Sequence, residues 1–135
     1  MKTPCPIKYE LEYIFIASPK LLYTYISTDE GLSEWFADKV IVKDNVFHFY
    51  WEGSEEKAII AEKKDKEFIR FNWMDEDCNK YLEFKIDTSS INSEITLIVT
   101  DFAFKEDIKE SEMVWDVAIK KMLRIIGGKL VNSNF

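Results

Sequence analysis

The chain has 135 residues, enough for one domain with a sizeable core and too few for two ordinary ones. Apolar residues make up 47% and charged residues 32%, which excludes a disordered chain, and no apolar run approaches the roughly 18–20 residues that cross a bilayer. Eighteen basic against 25 acidic residues leave a formal charge of −7 with the lysines scattered, so nucleic acid is not an expected partner.

The start, MKTPCPIKYELEYIF, sets prolines and charged residues where the apolar core of a secretory signal would lie. Cys5 and Cys78 stand far apart and form no CxxC pair, the usage of a reduced, cytoplasmic protein more than of a disulfide scaffold. From Lys8 to Ile16 the chain alternates, with Tyr9, Leu11, Tyr13 and Phe15 on one side and Lys8, Glu10 and Glu12 on the other. That period of two predicts a half-buried strand. Ser18 and Pro19 then supply a cap and a first helical residue for a short helix through Leu22 and Ile26. Thr28-Asp29-Glu30 opens a second, GLSEWF, whose apolar side is Leu32, Trp35 and Phe36. Trp35 and Phe36 are neighbours about 100° apart on the helix, so one is expected to pack under the sheet and the other to border a cavity mouth.

Six strands follow. Lys39 to Lys43 and Val46 to Trp51 flank the hairpin pair Asp44-Asn45, and Lys57 to Lys63 comes after the turn at Gly53-Ser54. Glu67 to Met74, Tyr81 to Asp87 and Glu94 to Phe102 complete the set, separated by turns at Asp75-Glu76-Asp77 and Ser89 to Ser93. The longest helix spans about Glu106 to Ile126, with Ile108, Trp115, Ile119, Met122 and Ile126 on one face and Gly127-Gly128 as its stop. Strands joined by short turns make an antiparallel meander whose apolar face needs a cover. The terminal helix is the element long enough to supply it. The expected fold is therefore α+β: a curved antiparallel sheet of about seven strands, two short helices after the first strand, and a long C-terminal helix packed on the sheet.

Ala17-Ser18-Pro19, Leu22-Tyr23, Ile26-Ser27-Thr28 and above all Gly31-Leu32-Ser33-Glu34-Trp35-Phe36-Ala37-Asp38 resemble the N-terminal signature of START-like (helix-grip, SRPBCC-type) proteins. More narrowly, they resemble the branch related to activators of the heat-shock-chaperone (Hsp90) ATPase. Trp51-Glu52-Gly53, Ile69-Arg70-Phe71, Trp73, Thr100-Asp101-Phe102-Ala103, Trp115 and Ile126-Gly127-Gly128 agree, so the resemblance spans about Lys8 to Gly128 of a single expected domain over residues 1–135. It implies the helix-grip fold. It also implies a family of small ligand-binding or uncharacterised proteins, with some enzymes and some chaperone partners, and a shared fold does not choose among them.

Catalytic motifs are missing. Gly31, Gly53, Gly127 and Gly128 write neither GxGxxG nor GxxxxGK[ST], and no GxSxG occurs. His48 and two distant cysteines make no zinc set, and Asp75-Glu76-Asp77 lacks the pattern of a calcium loop, so neither metal nor cofactor is expected. His48 reads as a surface or packing residue, and Glu10, Glu12 and Glu83 as solvent-facing. Asp101 shares a strand face with Leu97 and Val99; it either caps a turn or the following helix, or makes a polar contact in a cavity. The aromatics are core by default, but at 15% of the chain they also suit a cavity wall. The expected ligand-lining set is Tyr13, Phe15, Trp35, Phe36, Phe49, Trp51, Phe71, Trp73, Phe84, Leu97, Val99, Asp101, Trp115, Ile119 and Met122. The leading expectation is a non-enzymatic domain that binds a small hydrophobic molecule between sheet and terminal helix. The alternatives are a protein-interaction, co-chaperone-like module and a cyclase- or hydrolase-like enzyme.

Overall fold

The computed structural model describes residues 4–74, 78–88 and 93–131. Strand β1 (Ile7–Ile16) leads into helices α1 (Pro19–Ser27) and α2 (Asp29–Trp35). Six strands follow: β2 (Lys39–Lys43), β3 (Val46–Trp51), β4 (Ser54–Lys64), β5 (Phe68–Trp73), β6 (Tyr81–Asp87) and β7 (Ile95–Ala103). A 3-10 turn over Lys105–Asp107 precedes α3 (Ile108–Ile126), and β8 (Lys129–Leu130) ends the order. The sheet runs β2-β3-β4-β5-β6-β7-β1-β8, each neighbouring pair antiparallel. The acidic turn at Asp75-Glu76-Asp77 and residues 89–92 lie outside the described residues.

The local signals act where their chemistry requires. Ser18 Oγ accepts from Leu21 N at 3.2 Å, and Thr28 Oγ1 accepts from Gly31 N at 3.0 Å, capping α1 and α2. Asp44 and Asn45 both take positive φ, 52° and 67°, the backbone of a tight two-residue hairpin. Gly127 at φ 74° ends α3 in the left-handed region. The chain then turns back and lays Lys129 and Leu130 against Ile16 and Phe15. This eighth strand is the departure from the seven expected, because two residues carry no readable period.

One apolar cluster fills the space between sheet and helices. Alternate residues of β1, β3, β5, β6 and β7 meet Leu22, Ile26, Leu32 and Trp35 from the short helices and Trp115, Ile119, Met122 and Leu123 from α3. Glu10 and Glu12 are exposed, and half-buried Glu83 pairs with Arg70 at 2.9 Å. His48 Nδ1 lies 3.0 Å from Glu55 Oε2, a surface pairing.

The cysteines correct one expectation. Cys5 and Cys78 are joined, with Cα atoms 5.7 Å apart across 73 positions of sequence. Wide spacing hid the pair, since only the fold brings the segment before β1 to the segment before β6. The two thiols are therefore not free, and cysteine usage no longer argues for a reducing compartment.

Two outcomes follow. Cys5→Ser with Cys78→Ser should lower stability by about 2–4 kcal/mol in urea unfolding, as expected for a bridge closing a long loop; unchanged stability would show that the bridge restrains nothing. An added Cβ at Gly31 would lie 2.6 Å from both Thr24 O and Tyr25 Cα. Gly31→Ala should thus cost about 1–3 kcal/mol by prising α2 from α1, although alanine is ordinarily the better helix former by about 1 kcal/mol. A stabilised variant would contradict the close crossing.

Candidate functional site

In an antiparallel sheet the C-terminal ends of β3, β5 and β7 lie beside the N-terminal ends of β4, β6 and β1. Trp51, Trp73 and Asp101 come from the first group, while Glu56, Leu82 and Tyr9 come from the second. The N-terminal half of α3 covers this end, and Phe36 follows the last turn of α2. Between them lies a pocket of about 320 Å³ lined by Phe36, Trp51, Glu56, Trp73, Lys80, Leu82, Asp101, Phe102, Ser111, Val114, Trp115 and Ala118.

Five residues of the predicted lining set are here: Phe36, Trp51, Trp73, Asp101 and Trp115. The other ten do not line this pocket. Tyr13, Phe15, Trp35, Phe49, Phe71, Phe84, Leu97, Val99, Ile119 and Met122 are all buried in the core. Their rings fill the interior by packing on one another. Phe49 lies 5.9 Å from Phe71, Trp35 5.8 Å from Phe84, and Phe84 5.9 Å from Trp115 between ring centres. Of the α3 stripe Trp115, Ile119 and Met122, only Trp115 reaches the pocket. Trp35 and Phe36 divide as their angular separation requires, Trp35 buried and Phe36 on the pocket wall.

Sequence reading missed the other seven lining residues: Glu56, Lys80, Leu82, Phe102, Ser111, Val114 and Ala118. Glu56 shares a β4 face with buried Ala58, a signal available had the strand been started at Ser54 rather than Lys57. Lys80 sits just before β6, where alternation has not yet begun. Ser111 and Ala118 lie on α3 beside the apolar stripe, and small residues at such positions leave room.

The polar centre is built on Asp101. Its Oδ2 accepts from Trp115 Nε1 at 2.9 Å and from the Tyr9 hydroxyl at 3.3 Å, and its Oδ1 accepts from Phe102 N at 2.8 Å. Tyr9 also bonds Ser111, and the Tyr13 hydroxyl donates to Asp116 Oδ1 at 2.7 Å, so β1 holds α3 at two successive turns. Burial pushes the Tyr9 phenol up to about 12 and raises the Tyr13 phenol as well, so both act as neutral groups at pH 7. Burial also raises the Asp101 carboxyl above 3.8, against the lowering influence of the bonds from Trp115, Phe102 and Tyr9 and of the Lys80 charge. Of the possibilities left open for Asp101, the geometry has the polar contact at a pocket wall; its bond to Phe102 N lies within β7 and caps neither a turn nor the following helix. Among the described residues no group of His, Cys, Asp and Glu has the arrangement of a metal site, and no helix is long and apolar enough to cross a membrane.

A family model of the START-like superfamily domain matches residues 5–128, and the chain belongs to that superfamily. The solution NMR structure of BfR322 from Bacteroides fragilis is similar at 32% identity, with 98% of each chain covered and a TM-score of 0.65. The Aha1 dimer from Colwellia psychrerythraea shares the fold at 12% identity, with 89% of this chain and 96% of that one covered and a TM-score of 0.74. PFC0360w, an HSP90 activator from Plasmodium falciparum, does so at 13% identity, with 92% and 99% covered and a TM-score of 0.70. No curated protein sequence matches the chain.

The native state holds the Asp101 proton more tightly than the unfolded chain, so ionisation of this carboxyl costs stability. The cost is absent below the unfolded value of 3.8 and grows as pH rises, becoming complete above the raised native value. Trp115 donates directly to this carboxyl, so tryptophan emission should titrate with a midpoint above 3.8, and Asp101→Asn should remove that step. A midpoint at or below 3.8, or the same step in the variant, would contradict the assignment. The substitution should also cost about 1–3 kcal/mol, because an amide NH2 then faces an indole or backbone donor.

Proposed function

We propose that this START-like domain is a non-enzymatic carrier or sensor of a small hydrophobic molecule, held at the open end between the sheet and α3. The observation that carries this reading is the pocket, of a size that suits a small molecule, with aromatic walls and a few convergent polar groups on one side. The polar groups hold one another: Asp101 is engaged by Trp115, Tyr9 and Phe102 N, the arrangement of an orienting contact. Planar apolar ligands suit walls of tryptophan and phenylalanine through offset and edge-on ring contacts.

A second reading is a protein-interaction module. It is favoured by Met113 and Val117 on the outer side of α3, which are 64% and 71% exposed, and by the two fold relatives described as Aha1 and an HSP90 activator. The two readings separate on one substitution. Ala118 lines the pocket, and its replacement by a large ring fills the space without touching Met113 or Val117. Saturable binding of an uncharged apolar fluorescent probe, N-phenylnaphthalen-1-amine, is expected for the native chain. Ala118→Phe should weaken it at least tenfold with little change in melting temperature. Equal probe binding by native chain and variant, or none by the native chain, would remove the pocket reading and leave the interaction surface ahead.

A further inference from the structure

The walls and the charges of the pocket are of particular kinds, and together they narrow the ligand. Phe36, Trp51, Trp73, Phe102 and Trp115 are the aromatic lining. Two of the three indole donors are already used internally, Trp51 Nε1 on Phe36 O at 3.0 Å and Trp115 Nε1 on Asp101 at 2.9 Å. These rings therefore offer a ligand their faces rather than their N–H groups, and ring faces attract cations. The charged lining residues are Asp101, Glu56 and Lys80, two acids against one base. A carboxylate has about four acceptor positions, and Asp101 receives three donors, so one more can be accommodated. Glu56 reaches the pocket from the concave face of β4, and Asp101 from the end of β7.

We infer that the pocket takes an organic amine: a protonated nitrogen set between the Asp101 and Glu56 carboxylates, carried on a planar apolar body that lies among Phe36, Trp51, Trp73 and Trp115. This rests on the proposed ligand-binding function and adds to it the chemical class of the ligand. Lys80 belongs in the account as the one cation on the wall. With two acids and one base the lining carries one net negative charge, which a singly protonated ligand neutralises. The protein's net charge of −7 acts in the same direction, drawing cations toward the molecule at low ionic strength.

The test compares three probes with one ring system: naphthalen-2-ylmethanamine, the corresponding alcohol and 2-naphthoate, titrated calorimetrically into the full chain at pH 7. The amine should bind at least tenfold more tightly than the alcohol, and the carboxylate least. The amine's advantage should shrink several-fold in Glu56→Gln, vanish in Asp101→Asn, and decline with added salt in the native chain. If Asp101→Asn does not fold, Glu56→Gln and the salt series in the native chain still decide. Equal binding of amine and alcohol, or tightest binding of the carboxylate, would overturn the amine assignment while leaving the hydrophobic pocket standing. Binding of none of the three would remove the pocket reading with it.

Discussion

The contact between Trp115 and Asp101 is the constraint around which the rest of the molecule is arranged. A long helix can slide along a curved apolar sheet at little cost, because dispersion contacts are non-directional. A directional bond removes that freedom. Trp115 Nε1 reaches Asp101 across the interface at 2.9 Å, while its ring stacks on Phe36 with centres 5.7 Å apart and meets Phe84 edge-on at 5.9 Å. One side chain thereby ties α3 to the last long strand, to the end of α2 and to the middle of β6. Tyr9 and Tyr13 repeat the device one strand further on, at Ser111 and Asp116. Each phenol has its body in the core and its hydroxyl at the helix.

That anchoring decides where empty space can remain. Over most of the sheet, phenylalanine rings from alternate strands pack on each other and on α3 until the interior is filled. At the end where Trp51, Trp73 and Asp101 finish their strands, the small Ser111 and Ala118 face them from α3, and the filling stops. The pocket is thus a consequence of residue size on one helix set against ring placement on the sheet. Lys80, Glu56 and the half-buried Asp101 line it together.

Much of the fold is legible in the residues. Alternation in KYELEYIFI, broken only by the outward Ile14 and Ile16, and strict alternation at Ile69–Trp73 and Leu82–Ile86 reveal which side chains face inward, and the 115–119–122–126 spacing reveals the covering face of the helix. Position along a strand is harder. Alternation places Phe71 and Trp73 on one face without showing that Phe71 is sealed by Phe47 and Phe49 while Trp73 stands at an opening. The register of six strands and the axial position of α3 decide that, and both are set by long-range contacts. The Cys5–Cys78 bridge and the two-residue β8 escape for the same reason, since their partners lie far along the chain. Asp101 is the informative exception. A charged residue on the apolar face of a strand breaks the pattern, and this one stands on the wall of the candidate pocket.

Membership of the START-like superfamily agrees with this architecture, and in this chain Asp101 is the polar centre of the pocket wall. The account's central claim is that ligands enter at this open end and nowhere deeper. The four tryptophans report on it separately, because Trp51, Trp73 and Trp115 line the pocket while Trp35 is buried with its Nε1 donating to Tyr25 O at 2.8 Å. The most direct measurement is the indole N–H region of a proton–nitrogen correlation spectrum during titration with an apolar aromatic probe. Saturable shifts of the Trp51, Trp73 and Trp115 signals with Trp35 nearly still are the predicted result. A Trp35 signal that moves as far as the others, or four signals that never move, would contradict the account.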